Sequence, residues 1–182
     1  MKEVEYEFIP VGAMPGETKE TGKMDAISLL KADHRKVKDL LKTAMKSQSS
    51  AEKKKLVKQI CLELKVHAKV EEELVYPLLK QEDEKAADEA ELEHSLVKFM
   101  IRDFERGAFK GVELDAAIKV LNEIVTHHIK EEETSALPEL KKADDIDMRE
   151  LGGRVAQRKE VLMQREKRAV KRDKGRTSKR AA

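Results

Sequence analysis

Along most of this chain, hydrophobic residues recur at intervals of three and four, the period of an amphipathic helix. The first such run begins near Asp25, a suitable N-cap, and ends near Lys46, with Leu30, Val37, Leu41 and Ala44 on one face. The second begins at Ser49, whose spacing to Glu52 forms a capping box, and carries Leu56, Ile60, Leu64, Leu74 and Leu78. It is expected to end or kink near Tyr76, because Pro77 removes a helix hydrogen bond. The third spans about Glu84 to Arg106, with Ala87, Ala90, Val97, Ile101 and Phe104 on its stripe and Gly107 as its stop. The fourth runs from about Leu114 to Ser135, with Ala117, Leu121 and Ile124 on one side and Pro138 expected to close it. Each run of roughly 20 residues makes about 30 Å of helix, and the short connections favour antiparallel neighbours. The pattern predicts an all-α fold, an antiparallel up-down-up-down four-helix bundle over residues 24–142.

The two ends lack this pattern. Residues 1–23 hold two Pro and three Gly and read as a loosely ordered leader, with Tyr6, Phe8 and Ile9 available to dock on the body. The stretch from Gly16 to Lys23 does not form a phosphate loop, since five residues separate its glycines and Met24 stands where Ser or Thr is needed. Residues 143–182 read as a fifth helix from about Asp147, weakened by Gly152 and Gly153, that passes into a basic tail.

Each apolar stripe has a polar gap. His34 lies between Leu30 and Val37, and His94 between Ala90 and Val97. His67 and Glu71 lie between Leu64 and Leu74, while His128 and Glu132 follow Ile124 at one-turn steps. Residues in line with a buried stripe face the core, so these six point inward. Four of the five histidines in the chain occupy such positions, which scattered surface histidines would not do. An ionised carboxylate in an apolar interior is costly without a partner, and the stripes offer no arginine. A bound cation resolves the conflict, and imidazole with carboxylate is a ligand set for a first-row transition metal. His67 with Glu71, and His128 with Glu132, stand at i, i+4, so each pair reaches one point.

The chain also repeats itself. HAKVEEELVYP from His67 aligns with HIKEEETSALP from His128, and HRKVKDLL from His34 with HSLVKFMI from His94. Each half therefore supplies one lone His and one His-x-x-x-Glu. Two hairpins related by a pseudo-twofold axis would place a two-metal site on that axis, with two His per metal and both Glu free to bridge. Such a site leaves open positions for a small ligand. His127 competes with His128, because Glu131 is also four residues on, but the stripe and the proline alignment favour His128.

The segments DAISLLKADHRKVKDLL, HAKVEEELVYPLL, LEHSLVKFMIRDFE and HHIKEEETSALPEL resemble the hemerythrin-like family, the HHE cation-binding domain, over roughly residues 24–142. The resemblance implies a non-haem di-iron centre, two ions per chain with carboxylate and oxo bridges, and maps its ligands onto His34, His67, Glu71, His94, His128 and Glu132. Manganese or zinc would accept similar ligands. It further implies binding or sensing of oxygen, nitric oxide, peroxide or iron, in settings such as oxidative or nitrosative stress. An enzyme of peroxidase-like or nitric-oxide-reducing type is the alternative. Oxygen-carrying members have a further His four residues after the third-helix His, and an Asp on the last helix. Here those positions hold Lys98 and Glu132, which is more similar to bacterial iron-centre repair proteins and argues against reversible oxygen carriage. The Cys-containing N-terminal domain of the repair proteins has no counterpart in this sequence.

Composition adjusts this picture in three places. Aromatic residues are only 3% with no Trp, which disfavours β-sandwiches and barrels, whereas charged residues are 41%. No run of about 18 apolar residues exists to span a membrane, and no apolar N-terminal core marks a secretory signal. A lone cysteine, Cys61, forms no internal disulfide, so a cytoplasmic setting is expected and the thiol reads as buried and inert. The formal net charge of +2 conceals an asymmetry: residues 153–182 hold 12 basic and 3 acidic side chains, and the remainder 26 basic and 33 acidic. Residues 154–182 therefore offer a surface for nucleic acid or anionic lipid, or they fold back on the acidic body. Lys38 and Lys98 read as lysines at the bundle rim or as tuning the cluster or an anion near it, Tyr76 as packing at a helix end or as a donor to a ligand carboxylate, and Glu72, Glu73, Glu131 and Glu133 as a solvated face.

Overall fold

The computed structural model describes residues 24–180, with side chains described as far as residue 169. The leader, with Tyr6, Phe8, Ile9 and the glycines of the rejected phosphate loop, lies outside the described residues. All regular structure among the described residues is helical: α1 (Ala26–Lys46), α2 (Ser50–Leu74), α3 (Tyr76–Glu82), α4 (Glu84–Arg106), α5 (Val112–Glu131), a π-helical turn (Glu132–Ala136), α6 (Leu137–Lys142) and α7 (Met148–Arg180). No helix among them is long and apolar enough to cross a membrane.

The helix ends follow local chemistry. Asp25 caps α1 by accepting from the Ser28 N–H at 2.9 Å, and Ser49 caps α2 by accepting from the Glu52 N–H at 3.3 Å. Asp83 does the same for α4 through Ala86 N–H, and Gly107 ends that helix at φ +68°, a backbone shape that glycine adopts without a Cβ clash.

Pro77 meets the expectation and Pro138 does not. The second helix ends just before Pro77: α2 stops at Leu74, the chain breaks at Val75, and Pro77 sits in the first turn of α3. Pro138 opens α6 in the same way, directly after the π-helical turn. A first-turn position needs no N–H donor, so proline starts a helix as readily as it ends one.

The four long helices α1, α2, α4 and α5 pack in a ring, α1 against α2 and α5, and α4 against the same two. Their interior divides into two apolar clusters. One gathers Leu30, Val70, Tyr76, Leu79, Ala90, Leu137 and Leu140; the other gathers Val37, Leu41, Ile60, Leu64, Val97, Ile101, Leu121 and Val125. The polar gaps of the stripes lie between them, so a layer of His and Glu is walled by hydrocarbon on both sides.

The last helix packs along α1 and α2. Its Leu151, Val155 and Leu162 join the first cluster together with Val66 and Val70 of α2. Gly152 permits this contact: a Cβ there would stand 2.3 Å from the Met24 carbonyl oxygen and 3.0 Å from the Ala26 nitrogen. It holds α7 against the start of α1 rather than weakening it, whereas a Cβ on Gly153 would meet nothing within 4 Å.

Candidate metal centre

Histidines from four helices meet in the polar layer: His34 from α1, His67 from α2, His94 from α4 and His128 from α5, all buried. Glu71 and Glu132, 0% and 2% exposed, close the group. His34 and His67 bring their Nε2 atoms to 3.1 Å, and His94 and His128 do the same at 3.1 Å. Each carboxylate spans the two pairs. Glu71 Oε2 lies 3.0 Å from His67 Nε2 and 3.4 Å from His94 Nε2. Glu132 Oε2 lies 3.1 Å from His34 Nε2 and 3.8 Å from His128 Nε2. The donors form two sets whose atoms lie within 4.8 Å of one another: His34, His67, Glu71 and Glu132, and then Glu71, His94 and His128. Glu71 belongs to both.

The outer ring nitrogens explain how the rings are held. His34 Nδ1 meets Glu133 at 2.8 Å, His94 Nδ1 meets Glu72 at 3.1 Å, and His128 Nδ1 meets Glu93 at 2.8 Å. Asp33 stands 3.9 Å from His67 Nδ1. A carboxylate accepting from Nδ1–H leaves Nε2 with a lone pair. In the His94–His128 pair two such lone pairs would then face each other at 3.1 Å, which is repulsive unless a cation stands between them. The buried carboxylates agree. Both oxygens of Glu71, Oε2 of Glu132 and Nδ1 of His67 have no hydrogen-bond partner. The nitrogen–oxygen approaches near 3 Å are therefore close contacts without hydrogen-bond alignment, the arrangement of donors aimed at a shared ion. The residues present fit a pair of transition-metal ions.

Electrostatics supports an ionised Glu71. Burial alone would raise Glu71, but His67 and His94 outweigh it and hold the carboxyl well below its ordinary value. Burial likewise opposes a charged His67, but Glu71 and Asp33 carry its pKa up to about 10. Protons thus occupy the site in the metal-free protein. Burial, with Glu71 and Glu132, pushes the Tyr76 hydroxyl well above its usual range, so it stays a donor. It donates to Glu132 Oε1 at 3.3 Å and stands 3.2 Å from His94 Nε2.

Several residues hold places that their sequence positions did not reveal. Glu72 and Glu133 face ligand-position histidines instead of forming only a solvated face, and Glu73 forms a two-pronged ion pair with Arg158 of α7, at 2.5 and 3.0 Å. Lys98, read as a rim lysine, pairs with Glu72 and so backs His94. Tyr76 does more than pack. Asp33, paired with Lys159 of α7, and Glu93 lie one position off the stripes and look like surface acids in the sequence. His127 is 62% exposed and its Nε2 stands 3.4 Å from Glu93 Oε1. Cys61 is buried outside the site, and burial together with Glu105 pushes its thiol up to about 12. The spacing of Glu133 from His34 across 99 residues carries no sequence signal; only folding makes them neighbours.

Residues 25–140 match the hemerythrin HHE cation-binding domain. A crystal structure of a hemerythrin HHE cation-binding domain-containing protein from Mycobacterium kansasii shares the fold, with a TM-score of 0.64 and 26% identity over 77% of this chain and 88% of that one. No curated protein matches the chain significantly. With the family match covering more than half its length, the chain belongs to the hemerythrin HHE cation-binding domain family. The buried His and Glu cluster is the part of it that suits a metal cation.

Proposed function

We propose that this protein holds two iron ions in the cluster of His34, His67, Glu71, His94, His128 and Glu132, and that it binds or senses a small ligand there: oxygen, nitric oxide or peroxide. The observation that carries this reading is the set of buried, partnerless carboxylate oxygens facing four inward imidazole nitrogens. Among the described residues no lysine or arginine pairs with Glu71 or Glu132, whose ion-pair partners are those imidazoles. The same reading takes α1, α2, α4 and α5 as an up-down-up-down bundle, since short turns join α1 to α2 and α4 to α5, and the short helix α3 joins α2 to α4.

Iron at this site would act as a Lewis acid and redox centre for the ligand. The chain does the rest. Glu71 holds the two donor sets together, while Glu72, Glu93 and Glu133 orient the rings and keep Nε2 free for a metal. Tyr76 fixes Glu132 through Oε1 and offers a hydroxyl beside the three-donor set. A cavity of about 10 Å³, room for roughly one water-sized molecule, abuts all four histidines. Val37, Leu64, Val97, Val125 and Ile129 form most of the rest of its wall, and its one carboxylate, Asp33, is paired with Lys159, so the wall suits a neutral diatomic molecule more than an ion.

The test is metal analysis with an optical spectrum in air, under nitrogen and with nitric oxide. About two iron per chain and a spectrum that changes with the gas are expected, and Glu71→Ala should lose most of the metal. Protein expressed with iron that is folded but holds none defeats the reading. A catalytic role is favoured by the three-donor set beside Tyr76, which leaves positions open; iron-dependent turnover of peroxide or nitric oxide distinguishes it from binding. Nucleic-acid or anionic-surface binding through residues 154–182 rests on charge alone. A DNA mobility shift that disappears with salt would support it.

A further inference from the structure

The metal-binding reading leaves one question that the geometry addresses: how a charged ion reaches donors walled by hydrocarbon. A second cavity of about 50 Å³ lies between α4, α5 and the π-helical turn. It differs from the first in kind. Its outer lining includes the exposed Glu89, Glu131 and Ser135, and its inner lining includes the buried His128 and Glu132. It therefore runs from the surface to two members of the cluster. Glu132 forms part of the inner wall while being 2% exposed and having one oxygen without a partner.

Four features make the cavity a passage for cations. Carboxylates stand along its length, from Glu89 and Glu131 outside, past Glu93, to Glu132 inside. Among the described residues no lysine or arginine lines it, and Glu89 and Glu131 form no ion pair. Small side chains, Ala86, Ala90 and Ala136, leave the space open where α4 meets the turn. The π-helical turn itself contributes: one extra residue per turn widens the helix at the position where Glu132 enters the core. A negative, low-dielectric channel concentrates cations and speeds their arrival. The cavity beside the histidines has one carboxylate in its lining, Asp33, and Lys159 pairs with it.

We propose that this acidic cavity is the loading port for the buried site, in which Glu89 and Glu131 gather a divalent transition-metal cation and pass it by way of Glu93 to His128 and Glu132. The proposal rests on the metal-binding reading above. It adds that cation and small neutral ligand approach by different cavities.

Cobalt(II) is a suitable probe, because it colours when imidazole and carboxylate replace water and does not need oxidation. Metal-free full-length protein would be mixed with cobalt(II) under nitrogen, and visible absorption followed by stopped flow. The double variant Glu89→Gln, Glu131→Gln should load about tenfold more slowly at low salt and reach the same final absorbance. Added salt should slow the unaltered protein towards the variant. Ser135→Leu, an exposed position at the mouth, should slow loading by narrowing it, and Glu123→Gln, an exposed carboxylate away from the cavity, should load at the original rate. Unchanged rates in both the double variant and Ser135→Leu would overturn the port. A lower final absorbance at unchanged rate would overturn it too, because Glu89 and Glu131 would then be ligands. If the unaltered protein takes up neither cobalt nor iron, it is the metal-binding reading that fails.

Discussion

Glu71 shows how one side chain can be intolerable alone and required in company. Fully buried, with both oxygens lacking hydrogen bonds, it stays ionised because His67 and His94 surround it. In the metal-free protein His67 keeps its proton up to about 10, so a metal must displace protons to bind. The sign follows: affinity rises with pH below about 10, and acid releases the metal. A titration of bound iron against pH checks it, and retention unchanged down to pH 4 would contradict it. In the same metal-free state the raised His67 pKa stabilises the fold at neutral and lower pH, and that contribution is lost as pH rises through about 10. The outer carboxylates carry a second expectation. Glu93→Gln replaces an anion on His128 Nδ1 with a neutral amide, and metal affinity should fall by about 10- to 100-fold with helicity unchanged. Competition with a chelator of known affinity would measure it. The inward Glu was legible from its place in a stripe, but Glu93 and Asp33 were not, because a residue one position off the stripe looks like any surface acid.

Among the elements, α7 departs most from its sequence. Glycine in a helix costs about 1 kcal/mol relative to alanine, so Gly152 and Gly153 together read as a weak point. The packing separates them. Gly152→Ala would drive a Cβ into the Met24 and Ala26 backbone, neither of which can move like a flexible side chain. It should destabilise by about 1–3 kcal/mol, the scale of overpacking, whereas Gly153→Ala should stabilise by about 0.5–1 kcal/mol. Urea denaturation of the two variants decides it, and equal effects would show that α7 does not dock as described. Periodicity could place this helix but not reveal which glycine touches a backbone, since that depends on a partner about 125 residues away. The prolines teach the same lesson in reverse. Both were recognised as interruptions, yet whether the chain stops or restarts depends on what the next turn packs against. Here Leu79 and Leu140 reach the first core cluster, so α3 and α6 form.

For the molecule as a whole, α7 ties the basic end of the chain to the acidic body. Arg158 grips Glu73, Lys159 pairs with Asp33, and Asp33 faces His67, so the helix is one contact removed from the metal cluster. Burial works against an ionised Asp33, but His67 and Lys159 outweigh it and lower its pKa; Arg158 lowers that of Glu73. Depressed carboxylate values mean stability present above the ordinary range and lost as pH falls through the folded values. Removal of residues 148–182 should therefore do two things. It should expose Val66 and Val70, seen as binding of a hydrophobic dye and a lower melting temperature. It should also weaken metal retention, because Asp33 loses its cation. A truncated protein with full stability and full iron would show that α7 is an ornament to the bundle.

By itself the sequence determined the helical class, the inward direction of six donors and the twofold repetition that pairs them. These are properties of a period and a spacing, and they survive in one dimension. The tertiary structure decided which atoms meet across helices: the carboxylates behind the histidines, the hydroxyl of Tyr76 on Glu132, the acidic cavity beside the π-helical turn and the seat of α7 against Gly152. Those contacts join residues tens of positions apart on surfaces that look solvated along the chain. Only the packing of one helix on another brings them within reach.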